Sequence, residues 1–283
     1  SEKKAVVYDN YTETKSGHKF WAQTTITPIL DASGNIKKLV AIDSDITQLK
    51  EAEAEIKQQN EEITTQREML AKANNELRYT NKLITDSIKY SKRIQEALLP
   101  SMKLIQMHFS DSFIYYKPRD IVSGDFYWMS HQANKVFFAI ADCTGHGVPG
   151  ALLSMIGSTI LNELVNEKGI TSPSKILEYL SLRVVTALEK GREPGDIQSD
   201  GMDITLCSWD KDFRELKIAS ANGHARLFTK AGETEVKADI YSIGDIFSYN
   251  QNIEYTTHTF QIEEGDTLYM YTDGYQDQFG NQE

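Results

Sequence analysis

From Gln48 to Leu99 the chain contains neither proline nor glycine, and Leu49, Ile56, Ile63, Leu70, Leu77 and Ile84 recur at intervals of seven. An apolar residue every seventh position is the pattern of a helix that supercoils around a partner. A helix of that length cannot be folded into a compact core, so it divides the chain into a part before it, a rod, and a part after it. The second seam is poor. Four residues beyond each apolar position lie Glu53, Asn60, Arg67, Asn74, Asn81 and Ile88, of which only the last is apolar. Polar seam positions set register at the expense of stability. The two readings are a parallel homodimer and a solvated single helix held by domains at both ends. The dimer is preferred, because an apolar stripe must be buried somewhere. A weak seam also suits a signalling linker with two arrangements of similar energy.

Composition limits what the flanking parts can be. With 283 residues, 40% hydrophobic and 25% charged, there is enough chain for one large or two modest globular units. A formal net charge of -11 argues against nucleic acid as the main partner, since that affinity rests on Lys and Arg displacing counterions from phosphates. Two cysteines, Cys143 and Cys207, are too few for a disulfide framework and too far apart for a zinc knuckle, which fits a reducing cytoplasm. No uninterrupted apolar run is long enough for a membrane span, and the start "SEKKAVVYDN" has no apolar signal core. No membrane is expected as a partner.

Residues 1–47 end in two β-rich runs, "KFWAQTTITPIL" and "IKKLVAIDSDIT", around the turn "DASGN", which predicts a hairpin. Two strands cannot bury a core alone. The order of residues from Gly17 through "IDSDIT", followed at once by a charged helix, is similar to the C-terminal half of a PAS sensor domain. That resemblance implies residues 48–86 as the signalling helix.

After the amphipathic "SIKYSKRIQEALLP" a globular part begins, expected over 87–283. Strands are predicted at "FIYYKP", "FYWMS", "KVFFAIAD", "DITLCSWD", "ELKIASAN", "ARLFTK" and "TLYMYTD", with helices at about 148–167 and 173–191. Strands and helices fall in sets rather than in strict alternation, which predicts an α+β fold, a β-sandwich flanked by helices. Four aspartates stand at strand ends beside or near glycine: Asp125 in "SGDFYW", Asp142 in "ADCTGHGVPG", Asp203 in "GMDITLC" and Asp273 in "YTDGYQD". One Asp-Gly is a turn by default. Four together are more than turns require, and oxygen-only ligands select hard cations such as Mg²⁺ or Mn²⁺. Two such ions can lower the pKa of a shared water and aim the resulting hydroxide at phosphorus. Arg119, just before Asp125, can fork onto phosphate oxygens or can form a surface ion pair.

The motifs "PRDIVSGDFYW", "ADCTGHGVPGAL", "GMDITLC" and "YTDGYQDQFG", in this order, resemble the SpoIIE-like branch of the PPM (protein phosphatase 2C) family. "IASANGHARLFTKAGE" resembles its glycine-histidine hairpin. The resemblance implies a PPM-type fold and a serine/threonine phosphatase using two Mn²⁺ or Mg²⁺ ions. Asp142 would bridge them, with Asp125, Asp273 and the Cys143 carbonyl as further ligands, and Asp142 and Asp273 essential for catalysis. Asp203 is tied to metal binding, to its organisation, or to a third ion. Arg119 matches the branch's substrate-binding arginine. His146 lies four residues after Asp142 rather than two as in eukaryotic members, so the general-acid role does not carry over, and a bond to its own turn is expected; His224 is expected to stabilise its hairpin. The branch normally runs on through a helix to a last strand with an acid-bearing motif, so the sequence reads as an internal fragment. The implied partner is a phosphorylated regulator of the anti-sigma antagonist type. A non-catalytic dimeric scaffold and a small-molecule phosphoesterase are the alternatives.

Overall fold

The computed structural model describes residues 4–189, 200–244 and 253–275, and the chain divides into two compact units, Ser1–Lys82 and Leu83–Glu283.

In the first unit, strands β1 (Val6–Glu13), β2 (Lys19–Leu30) and β3 (Ile36–Asp45) form an antiparallel sheet in the order β1-β2-β3. The expected hairpin is β2–β3. Its turn is built by Asp31, whose carboxylate accepts from the Ser33 and Asn35 N–H groups at 2.9 Å each, with Gly34 in the left-handed region at φ 77°. Strand β1 is an addition to the sequence reading. It pairs with the other edge of β2, Tyr11 opposite Trp21, although its mixed polar and apolar residues show no strict alternation. The sheet hands over to helix α1 (Thr47–Leu98) through Asp45, which accepts from the Thr47 N–H and hydroxyl at 2.9 and 2.7 Å. Lys50 then pairs with Asp9 at 2.9 Å and lies 5.9 Å from the Trp21 ring centre. The heptad residues Leu49, Ile56, Ile63, Leu70, Leu77 and Ile84 are all between 46% and 69% exposed.

In the second unit, β4 (Phe126–Gln132), β5 (Lys135–Cys143), β6 (Met202–Asp210), β7 (Glu215–Ala221) and β10 (His258–Gln261) form an antiparallel sheet in the order β10-β7-β6-β5-β4. Strands β8 (His224–Thr229), β9 (Gly232–Glu235) and β11 (Thr267–Tyr271) form a second sheet, β11-β8-β9. Between β3 and β4 lies a short helix, α2 (Met102–His108), capped by Ser101. Helix α3 (Gly147–Asn162) runs into a π-helical turn at Glu163–Glu167, and α4 (Pro173–Glu189) follows.

Alternation along the strands sends side chains to two cores. Phe137, Ala139, Met202, Ile204 and Leu206 pack with Leu161, Ile176 and Leu180 of the helices. Cys207, Ile218, Trp209 and Phe138 face Ala225, Leu268 and Met270 of the smaller sheet. The architecture is therefore helices on sheet on sheet, the expected α+β sandwich, with helix cover seen on one side among the described residues. Helix α3 with its π-turn is long and apolar enough to cross a membrane by composition, yet about half of α3 is buried in this core.

Two sequence expectations change. "FIYYKP" forms no strand, Phe113 and Tyr115 are exposed, and among the described residues no strand pairs with the segment. Strands β9 and β10 were not anticipated; both are four residues long and largely polar, and they exist because a formed edge is there to pair with.

Candidate metal centre

Three of the four aspartates meet at one end of the sandwich. Asp142 is the penultimate residue of β5 and lies on the Phe138 side of the sheet, toward the smaller sheet. Asp125 stands just before β4, the neighbour of β5, and Asp273 just after β11. Burial, then the charge and hydrogen-bonding contact of Asp125, and then those of Asp273, push the Asp142 carboxyl up to about 8. Carboxylates gathered without a cation repel, and the most desolvated one keeps its proton. Asp125 is held from the far side by Thr272, whose hydroxyl donates to its carboxylate at 2.9 Å, and by Tyr116, whose hydroxyl donates to its carbonyl at 3.2 Å.

Glycine allows the loops to approach this closely. A Cβ at Gly124 would lie 2.9 Å from the Gly145 carbonyl oxygen and 3.0 Å from that of Cys143, and one at Gly150 would lie 2.5 Å from the Gly145 oxygen. No side chain fits in either place, so the carbonyl-bearing corner after Asp142 lies directly on the loop before Asp125. The Cys143 thiol is buried and its pKa is raised well above normal by desolvation, so its carbonyl is the group available as a ligand.

Asp203 is directly cross-strand from Asp142 but is engaged differently. Its carboxylate accepts from Asn222 Nδ2 at 2.7 Å and from the Ser242 hydroxyl. Those bonds tie it to the end of the sheet where β6 and β7 meet. Arg119 is exposed and forms no ion pair or hydrogen bond among the described residues. His146 bonds through Nδ1 to the Asp120 carboxylate at 2.9 Å, a residue of the Arg119 loop and not of its own turn as expected. His224 stacks on Tyr271 of β11 at 5.3 Å, outside its own hairpin. Thr272, Tyr116 and Asp120 were missed; Thr272 lies within the quoted "YTDG", but nothing in the sequence tells which carboxylate it serves.

Among the described residues no three His, Cys, Asp or Glu side chains close into a group that holds a metal unaided. The donor set nevertheless fits a hard cation. Mg²⁺-type ions keep several waters and take one or two carboxylates and carbonyls, which Asp142, Asp125, Asp273 and the Cys143 carbonyl can supply. The repulsion among the carboxylates that holds the proton on Asp142 is what such an ion would relieve.

Comparison with known proteins places the chain in a family. Residues 132–283 match the family model described as Stage II sporulation protein E (SpoIIE). The phosphoserine phosphatase RsbU of Bacillus subtilis is 28% identical over 199 residues, 70% of this chain; the chain spans only 56% of that protein's length. Among solved structures, the SiaA-PP2C domain of Pseudomonas aeruginosa superposes with a TM-score of 0.61 at 30% identity, covering 72% of this chain and 77% of that one. With a family model matched over more than half its length and a carboxylate trio at the sheet end, the chain belongs to the SpoIIE family and has a PP2C-type fold.

Proposed function

We propose that this protein is a metal-dependent serine/threonine phosphoprotein phosphatase. The observation that carries the reading is the convergence of Asp125, Asp142 and Asp273 from three separate segments, with the Asp142 carboxyl pushed up to about 8 by its neighbours. Proteins do not retain such repulsion without a use for it, and perturbed carboxyls in a cleft mark functional sites. RsbU is named a phosphoserine phosphatase, which favours a phosphoserine-bearing substrate.

Asp142 would be the ligand shared by two divalent ions, with Asp125, Asp273 and the Cys143 carbonyl as the further ligands. When bound, Mn²⁺ or Mg²⁺ supplies the Lewis acidity that makes water a nucleophile near neutral pH. Arg119, with no partner of its own among the described residues, would orient the phosphoryl oxygens through its guanidinium fork. Thr272 and Tyr116 keep Asp125 in place from both ends. Asp203 keeps its supporting role or serves an additional ion.

We further read residues 1–47 as the end of a PAS sensor, and residues 48–86 of α1 as a parallel dimer seam through which sensor input reaches the catalytic unit in the cytoplasm. Support comes from the six exposed heptad residues and from the continuity of α1 across both units. The substrate fits a phosphorylated regulatory protein.

The test is phosphate release from a panel of phosphoserine and phosphothreonine proteins, with and without Mn²⁺. Mn²⁺-dependent release from a phosphoprotein is expected. Release only from small phosphate esters would favour a phosphoesterase, and no release from either would leave a scaffold.

A further inference from the structure

Residues 109–125 form neither helix nor strand, so no ladder fixes Arg119, which stands exposed within them. The position of such a segment depends on its side-chain anchors. Val122, 2% exposed, is one of them. The anchor next to Arg119 is Asp120, whose carboxylate meets His146 Nδ1 at 2.9 Å across 26 positions. An ionised carboxylate only accepts, so Nδ1 carries the proton and donates it.

The far end of this bond lies at the start of α3. His146 is extended, between Gly145 and Gly147 in the left-handed region at φ 85° and 65°, and it is the N-cap of the helix. A side chain in that place commonly accepts from an N–H of its own helix. His146 makes no such bond, and its ring goes to Asp120 instead. The Asp120 carboxylate in turn lies against the first residue of α3, since a Cβ on Gly147 would be 3.4 Å from its Oδ2. His146 follows Asp142 and Cys143 closely in the chain, so the bond joins the neighbour of Arg119 to the corner that bears two of the proposed metal ligands.

Both side chains are largely open to water, Asp120 at 43% and His146 at 69%. A surface pair of this kind contributes little to stability. What it does fix is distance. A guanidinium fork orients phosphoryl oxygens only from the right place beside the reacting centre, and a displacement of about 1 Å can cost roughly 100-fold in rate. We propose that His146 and Asp120 are positioning residues for Arg119: their bond pins the Arg119 segment to the corner after Asp142 and so sets where the guanidinium meets the phosphoryl group. The inference rests on the reading of Arg119 and the carboxylate trio as one phosphatase site. The imidazole transfers no proton in this role, and an amide that reaches Asp120 can replace it.

The experiment measures Mn²⁺-dependent hydrolysis of p-nitrophenyl phosphate by the intact protein, and Mn²⁺ affinity by calorimetry. The variants are Arg119→Ala, His146→Ala, Asp120→Ala, His146→Asn, His146→Gln and the double variant Arg119→Ala with His146→Ala. His146→Ala and Asp120→Ala should each lower kcat by about tenfold, with Mn²⁺ affinity and melting temperature unchanged. At least one of the amides His146→Asn and His146→Gln, which keep an N–H donor, should return turnover to within about twofold of wild type. In the double variant the loss of His146 should add less than about twofold to the effect of Arg119→Ala, because residues acting through one contact do not add. Amide variants that are both as slow as His146→Ala overturn the inference in favour of a direct role for the imidazole. Full additivity in the double variant, a fall in Mn²⁺ affinity, or a loss of turnover that tracks a lowered melting temperature overturns it as well. If His146→Ala does not fold, Asp120→Ala, alone and combined with Arg119→Ala, decides by the same criteria. Wild type without Mn²⁺-dependent hydrolysis, or Arg119→Ala that turns over like wild type, overturns the underlying reading of the site. An impaired Arg119→Ala beside an indifferent His146→Ala or Asp120→Ala overturns the inference alone.

Discussion

The five-stranded sheet of the catalytic unit and the three-stranded sheet β1-β2-β3 are both antiparallel and both draw on Val, Ile, Thr and aromatic residues, yet their surroundings are opposite. In β6 seven of the nine residues are buried, and the sheet lies between helices on one face and the β8–β11 sheet on the other. In the first unit Ala22 and Thr24 are the buried residues of the sheet, while Val6, Val7, Ile36, Leu39 and Ile42 are each more than 50% exposed. Strand-favouring residues occur in both sheets; only the five-stranded sheet is supplied with cover from its own unit. A sheet packed on both faces is rigid enough to hold three carboxylates against their repulsion, and a one-layer sheet is not.

The contrast can be tested from the strongest effect downward. Asp142→Asn should reduce Mn²⁺-dependent phosphate release by at least about 10³-fold, the scale on which loss of a central electrostatic group acts, while circular dichroism remains native. Wild-type turnover by that variant would dissolve the functional distinction between the two units. Phe137 is fully buried, so Phe137→Ala should cost the catalytic unit about 3–5 kcal/mol in denaturant melts. Ile42 is 60% exposed, and Ile42→Ala should stay within about 0.5 kcal/mol. A larger Ile42 penalty would mean that the first sheet is covered in solution. Arg119→Ala should lower kcat by about 10- to 100-fold without changing Mn²⁺ affinity by calorimetry, as expected of one phosphate contact. Loss of metal binding would instead make Arg119 part of the scaffold.

A further effect is expected on stability without metal. From the ordinary carboxyl value of 3.8 up to about 8, the folded chain holds a proton on Asp142 that the unfolded chain has released. Protons therefore favour folding in that window, and stability is lost as pH rises through it. In chelator at about pH 8.5, Asp142→Asn should be more stable than wild type by about 1–3 kcal/mol, a value reduced for the partial exposure of the site, and the gap should narrow as pH falls and close below the ordinary carboxyl value of 3.8. An Asp142→Asn protein that is less stable at the higher pH would show that the repulsion is relieved in some other way.

What the sequence determined by itself was the local repertoire. Absence of Pro and Gly from 48 to 99 made α1, short apolar-rich runs made β5 and β6, and Asp beside or near Gly marked the sheet-end corners. These are properties of near neighbours, which periodicity and turn chemistry report directly. The tertiary structure decided everything that depends on residues far apart. It gave the polar segments β9 and β10 edges to pair with and left "FIYYKP" without one. It directed the Thr272 hydroxyl to Asp125 across 147 positions, tied Asp203 to Asn222 and Ser242 although it faces Asp142, and buried Gln95 alone of its helix. Such choices are made by which partner is nearest once the layers have packed, and a buried polar group must take the partner it finds there.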